Sequence, residues 1–101
     1  MIRRLAAFLL IFVGGSTAAV PSIAADAAKG TQLARQWCAH CHVVAAGQSA
    51  TVQQGPPAFA AIGMNADQMR AFLTRPHGAM PDLALTRSEI DDVIAYIETL
   101  R

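Results

Sequence analysis

The sequence predicts an all-α domain of three main helices and one short helical turn. Asn65–Gln68 and Thr86–Glu89 each read as a capping box, in which a cap side chain and the residue three later satisfy each other's free backbone N–H groups. Ile90, Val93, Ile94, Ile97 and Leu100 recur every three or four residues, one apolar stripe at the helical period. No stretch alternates apolar and polar residues as a half-buried strand does.

The chain has 101 residues, room for one domain, and its beginning reads as something else. Met1-Ile2-Arg3-Arg4 is a charged start. Residues 5–13 are an apolar run too short to span a bilayer comfortably, and small residues follow, ending in Ser22-Ile23-Ala24-Ala25. This is the pattern of a secretory signal over residues 1–24, cleaved after Ala24 or Ala25; an uncleaved anchor is the alternative. Residues 25–101 then form the domain, and the compartment is the periplasm. Without the leader the formal charge moves from +1 to −1, with six basic against seven acidic side chains left. There is no basic stripe for nucleic acid and no lysine-rich docking face. A domain of about 77 residues has a thin core and needs a staple.

The elements follow in order. Asp26 can cap a helix running to about Trp37, with Leu33, Ala34, Trp37 and Cys41 at helical spacing. Gly30, on the same side, can admit another helix at close range; the plainer reading is a tolerated glycine costing about 1 kcal/mol relative to alanine. Residues 43–51 read as a loop containing Gly47, Gln48 and Ser49. Gly55-Pro56-Pro57 enforces extended backbone, and Phe59 and Ile62, three apart, suit one helical turn. Asn65 opens the next helix, with Met69, Phe72 and Leu73 as its apolar side and Arg75-Pro76 as its stop. Residues 77–82 form a loop, and Thr86 opens the last helix, whose stripe Tyr96 flanks.

Cys38-Ala39-His40-Cys41-His42 carries the chemistry. Two thiols three apart followed directly by histidine are the sign of covalent c-type haem attachment. Each thiol adds across one porphyrin vinyl group to give a thioether. On a helical turn Cys38 and Cys41 share a face, and His42 is carried beneath the porphyrin plane, where its imidazole ligates iron. His40 is an exposed spacer. A thioredoxin-like pair would need a strand-helix setting, structural zinc a further ligand where only His77 is left, and a disulfide a strained small loop. Haem would supply the missing staple, and Trp37 is expected to pack in the core or on the haem. In an oxidising compartment the thiols must be reduced before attachment.

A second axial ligand comes from the other side. Met80 lies in a proline-bracketed loop, and Pro81 biases it to extended geometry that can present its sulfur in a fixed direction. Met/His ligation raises the reduction potential. Met64 and His77 are the alternatives; Met69, beside Phe72 on a helix face, is expected in the core. Arg75 and His77 are candidates, by position, for the haem propionates.

Taken in order, Gly30, the Cys38–His42 motif, Gly55-Pro56, Met80-Pro81 and Tyr96 resemble the class I cytochromes c, especially small bacterial monohaem ones, across the whole domain. The resemblance implies the cytochrome c fold around one covalent haem c, with the first and last helices crossing at the glycine and packed by aromatic residues. It implies that the Pro56 carbonyl accepts a hydrogen bond from the proximal imidazole of His42, Pro57 being the adjacent alternative. Ala34 stands where many members carry an aromatic, and Trp37 is the residue placed to compensate.

The function expected is a periplasmic one-electron carrier, not an enzyme, since protein fills both axial positions. It would take an electron from a membrane complex or dehydrogenase and pass it to a terminal oxidase or reductase, with no nucleic acid and no stable membrane span after cleavage. The alternative is a dedicated cytochrome c subunit of a periplasmic dehydrogenase complex, which the weak net charge mildly favours. A third reading, an enzyme or gas sensor with an open iron site, requires that Met80 not ligate.

Overall fold

The computed structural model describes residues 11, 13–18, 24–50, 55–75 and 78–101. Most of the leader read over residues 1–24 lies outside the described residues, as do Pro76 and His77. Among the described residues there is no β-strand, and no helix is long and apolar enough to cross a membrane.

Helix α1 spans Ala27–Leu33. Asp26 is extended, and its carboxylate accepts the N–H groups of Ala28 and Lys29 at 2.9 and 3.1 Å, the cap expected from the sequence. The helix does not end at Leu33 but widens into a π turn over Ala34–Cys38. There the Ala39 N–H donates to the Ala34 carbonyl, five residues back, at 3.0 Å. A wider turn rotates the side chains that follow relative to a regular helix. Ala34 and Cys38 are buried, whereas Trp37 is 49% exposed and does not enter the core. The even helical period placed Trp37 on the buried stripe, and the π turn takes it off.

A 3-10 turn at Phe59–Ala61 buries Phe59 and half-buries Ile62, as their spacing predicted. Helix α2 spans Ala66–Thr74 and helix α3 Arg87–Glu98. Both capping boxes form: Asn65 and Gln68 exchange two bonds of 2.9 Å, and Thr86 and Glu89 bonds of 2.9 and 3.1 Å. Of the α2 apolar side, Met69 is buried and Leu73 half-buried, but Phe72 is 44% exposed. Phe72 stands about 60° round the helix from Met69, and this short helix reaches the core along one edge only.

The core is built on α3. Ile90, Val93, Ile94 and Ile97 are all buried and join Ala34, Phe59 and Met69 in one cluster. Helix α1 lies across α3 at Gly30, which faces the backbone of Asp92 directly. Asp92 is itself buried and accepts the Asp26 N–H at 2.7 Å, so the start of α1 is tied to the middle of α3. Arg70 of α2 bridges to Asp91 of α3 and to Asp67, each at 2.8 Å; these bonds are solvated and serve alignment more than stability. Arg101 closes the far side, its guanidinium donating to the Met64 carbonyl at 2.6 Å and reaching the Met69 sulfur at 3.5 Å.

Candidate haem-binding site

The Cys38–His42 motif starts where the π turn ends. Hydrogen bonds from the Cys41 and His42 N–H groups to the Cys38 carbonyl, at 3.2 and 2.9 Å, wind it into one further turn. Cys38 is buried and Cys41 exposed, and both are free thiols. Burial pushes the Cys38 thiol up to about 11.

His42 is half-buried, and its Nδ1 lies 2.8 Å from the carbonyl oxygen of Pro57. A carbonyl can only accept, so Nδ1 carries the proton and donates, which leaves the Nε2 lone pair for a metal. The acceptor is Pro57, not Pro56. The register comes from the next residues: the Phe59 N–H donates to the Val43 carbonyl at 2.9 Å and fixes how the proline segment lies along the loop. The two proline carbonyls are chemically alike, and this anchoring favours the second. The Phe59 ring also leans on the imidazole, with centroids 5.4 Å apart, and stands 6.4 Å from the Tyr96 ring.

Two side chains hold this loop: Tyr96, which the sequence placed beside the last helix's apolar stripe, and Gln48, which it left in a loop without a role. The buried Tyr96 hydroxyl donates to the Val44 carbonyl at 2.5 Å, tying α3 to the segment just after the motif. Gln48 accepts the Val44 N–H at 2.9 Å and donates to the His42 carbonyl at 2.8 Å. No spacing rule marks a glutamine in a loop; only the closed path of the chain brings it back onto His42.

The three methionines of the domain differ in placement. Met69 is 2% exposed and fixed in the core beside Arg101. Met64 is half-buried, packed against the same cluster, and its carbonyl is held by Arg101. Met80 is half-buried in the segment leading to α3, outside that cluster. Within that segment Ala84 adopts φ 51°, and its N–H is caught by the Asp82 carboxylate at 2.8 Å. The alternative ligand His77 lies outside the described residues.

The donor set fits a covalently held haem. It offers two free thiols three residues apart on one turn, and beside them an imidazole whose tautomer leaves one nitrogen available. The fold and this site together define a small c-type cytochrome. The comparisons agree. A family model described as cytochrome c oxidase, cbb3-type, subunit III, matches residues 25–97. Cytochrome c-552 of Bradyrhizobium diazoefficiens is 41% identical over 97 residues, covering 92% of this chain and 90% of that protein. No solved structure matches significantly. The chain belongs to the c-type cytochromes and is a haem c electron carrier, a role that requires redox partners.

Proposed function

We propose that the protein is a periplasmic one-electron carrier whose iron is bound by His42 and Met80. The observation that carries this reading is the 2.8 Å bond from His42 Nδ1 to the Pro57 carbonyl, which orients the imidazole as a metal ligand. Haem c, held by thioethers to Cys38 and Cys41, supplies an iron that gains and loses one electron. The chain's own residues do the rest. Pro57 holds the His42 proton, while Phe59 and Tyr96 pack the proximal side. Met80 is favoured as the second ligand because it stands outside the core cluster, whereas Met69 is buried in it with its sulfur 3.5 Å from Arg101 and Met64 packs against it. A thioether there raises the reduction potential and closes the iron to small molecules.

Removal of the leader after Ala24 or Ala25 is part of this reading. It is supported by the family match starting at residue 25 and by the first capping residue, Asp26, immediately beyond. Intact-mass measurement of periplasmic protein tests the proposal: the expected species begins at Ala25 or Asp26 and carries one haem. A species of bare polypeptide mass, or one retaining the leader, contradicts it.

A second reading has a specific support. The matching family is described as a subunit of an oxidase, which favours a haem subunit held in a membrane complex over a free carrier. The chain's span over 90% of a small cytochrome c-552 favours the free carrier. Gel filtration of the native periplasmic protein separates the two, as free monomer or as stable co-purifying complex.

A further inference from the structure

We infer that Gln48 is a positioning residue for the iron's proximal imidazole, acting through the backbone of His42. The inference rests on the reading of His42 as an iron ligand and goes beyond it by assigning what fixes that ligand's angle.

The argument begins with how the loop closes. Gly47 has φ 79°, and the Gln48 N–H donates to the Ala45 carbonyl at 3.3 Å, so the chain doubles back within six residues of His42. The Gln48 side chain then lies along the loop's start. Its Nε2 donates to the His42 carbonyl at 2.8 Å, with the Ala39 carbonyl at 3.5 Å, and its Oε1 accepts the Val44 N–H at 2.9 Å. One amide thus satisfies a carbonyl and an N–H two residues apart, as a neighbouring strand would. Its orientation is fixed by these partners, because the reversed amide would set oxygen against carbonyl and N–H against N–H.

The consequence falls on His42. Its N–H is held by the Cys38 carbonyl at 2.9 Å on one side, and its carbonyl by Gln48 on the other. With both adjoining peptides fixed, the direction of the Cα–Cβ bond is fixed, and the Nδ1 bond to Pro57 sets the ring's rotation. Gln48 therefore completes a frame of which Pro57 is the visible part. A ligand's ring plane relative to the porphyrin controls how the iron d orbitals split. That angle is read in the g-tensor of ferric iron and in the spread of the haem methyl proton shifts.

The test uses the holoprotein with three substitutions. Gln48→Met keeps the length and removes the amide. Gln48→Glu at neutral pH still accepts from Val44 but cannot donate to His42. Gln68→Met removes another hydrogen-bonded glutamine, in the α2 capping box away from the motif. Both Gln48 variants should shift the ferric g values and redistribute the haem methyl resonances. Gln68→Met should lower stability with both signatures unchanged. Wild-type signatures in Gln48→Met, or in Gln48→Glu if the methionine variant does not mature, would overturn the positioning role. So would equal shifts in Gln68→Met, which would mark a general loss of stability. His42→Ala separates the underlying reading: if it keeps the low-spin spectrum, His42 is not the ligand and the inference falls with it.

Discussion

Gly30 of α1 lies against Asp92 of α3 so closely that a methyl group on Gly30 would overlap the Asp92 carbonyl and stand 3.0 Å from Tyr96 Cβ. The obstacle is backbone, which cannot swing aside as a side-chain tip can. Gly30→Ala should therefore cost about 1–3 kcal/mol, the range for overpacking a tight contact, in denaturant unfolding of the holoprotein. Gly63→Ala is the control, since a methyl there meets nothing within 4 Å. A Gly30→Ala cost no larger than the control's would mean the helices do not cross this closely.

Tyr96→Phe removes the hydroxyl that reaches from α3 to the Val44 carbonyl. The ring stays, so its packing near Phe59 is kept. The expected loss is about 1–2 kcal/mol, a buried hydrogen bond plus an acceptor left unpaired, together with faster amide exchange at residues 43–45. Unchanged exchange there would show that Tyr96 packs the core without holding the loop.

Much of the fold was readable because its signals are local. Asp26, the Asn65–Gln68 and Thr86–Glu89 boxes and the α3 stripe each act within one helical turn, and each appears where the sequence placed it. Gly30 was readable because only a glycine permits so close an approach. The misreadings share a cause, which is geometry set from a distance. Trp37 stays out of the protein core because the helix widens to a π turn just there, which leaves its other expected place, against the haem, untouched. Phe72 is exposed because α2 meets α3 along one edge. Pro57 rather than Pro56 bonds His42 because the Phe59–Val43 bond sets the register. Gln48 and Arg101 are placed by chain paths that no short motif encodes.

The haem-free chain should be largely unfolded. The domain is small and its core thin, and a group bound only by the native state adds to stability in proportion to its binding. Circular dichroism of the Cys38→Ser/Cys41→Ser chain without haem should show weak helix and no cooperative melting. A sharp thermal transition would mean that the helices hold together without the cofactor.

Electron exchange with a partner should depend only modestly on salt. Without the leader the net charge is −1, and no cluster of lysines stands ready to steer an acidic surface. Stopped-flow rates with a partner oxidase should change little between low and physiological ionic strength. A steep fall would reveal a charged docking face formed by residues distant in sequence.

The near-infrared spectrum of the ferric protein tests the central claim most directly, because sulfur coordination to low-spin ferric haem gives a weak band there that nitrogen ligands do not. The wild type should show it. Met80→Ala should abolish it, lower the reduction potential and open the iron to small ligands, whereas Met64→Leu and Met69→Leu should keep it, with at most about 1.5 kcal/mol of stability lost at the core position. A band that survives Met80→Ala and vanishes in Met64→Leu would move the ligand to Met64, and a high-spin wild type that binds carbon monoxide readily would contradict the closed electron carrier itself.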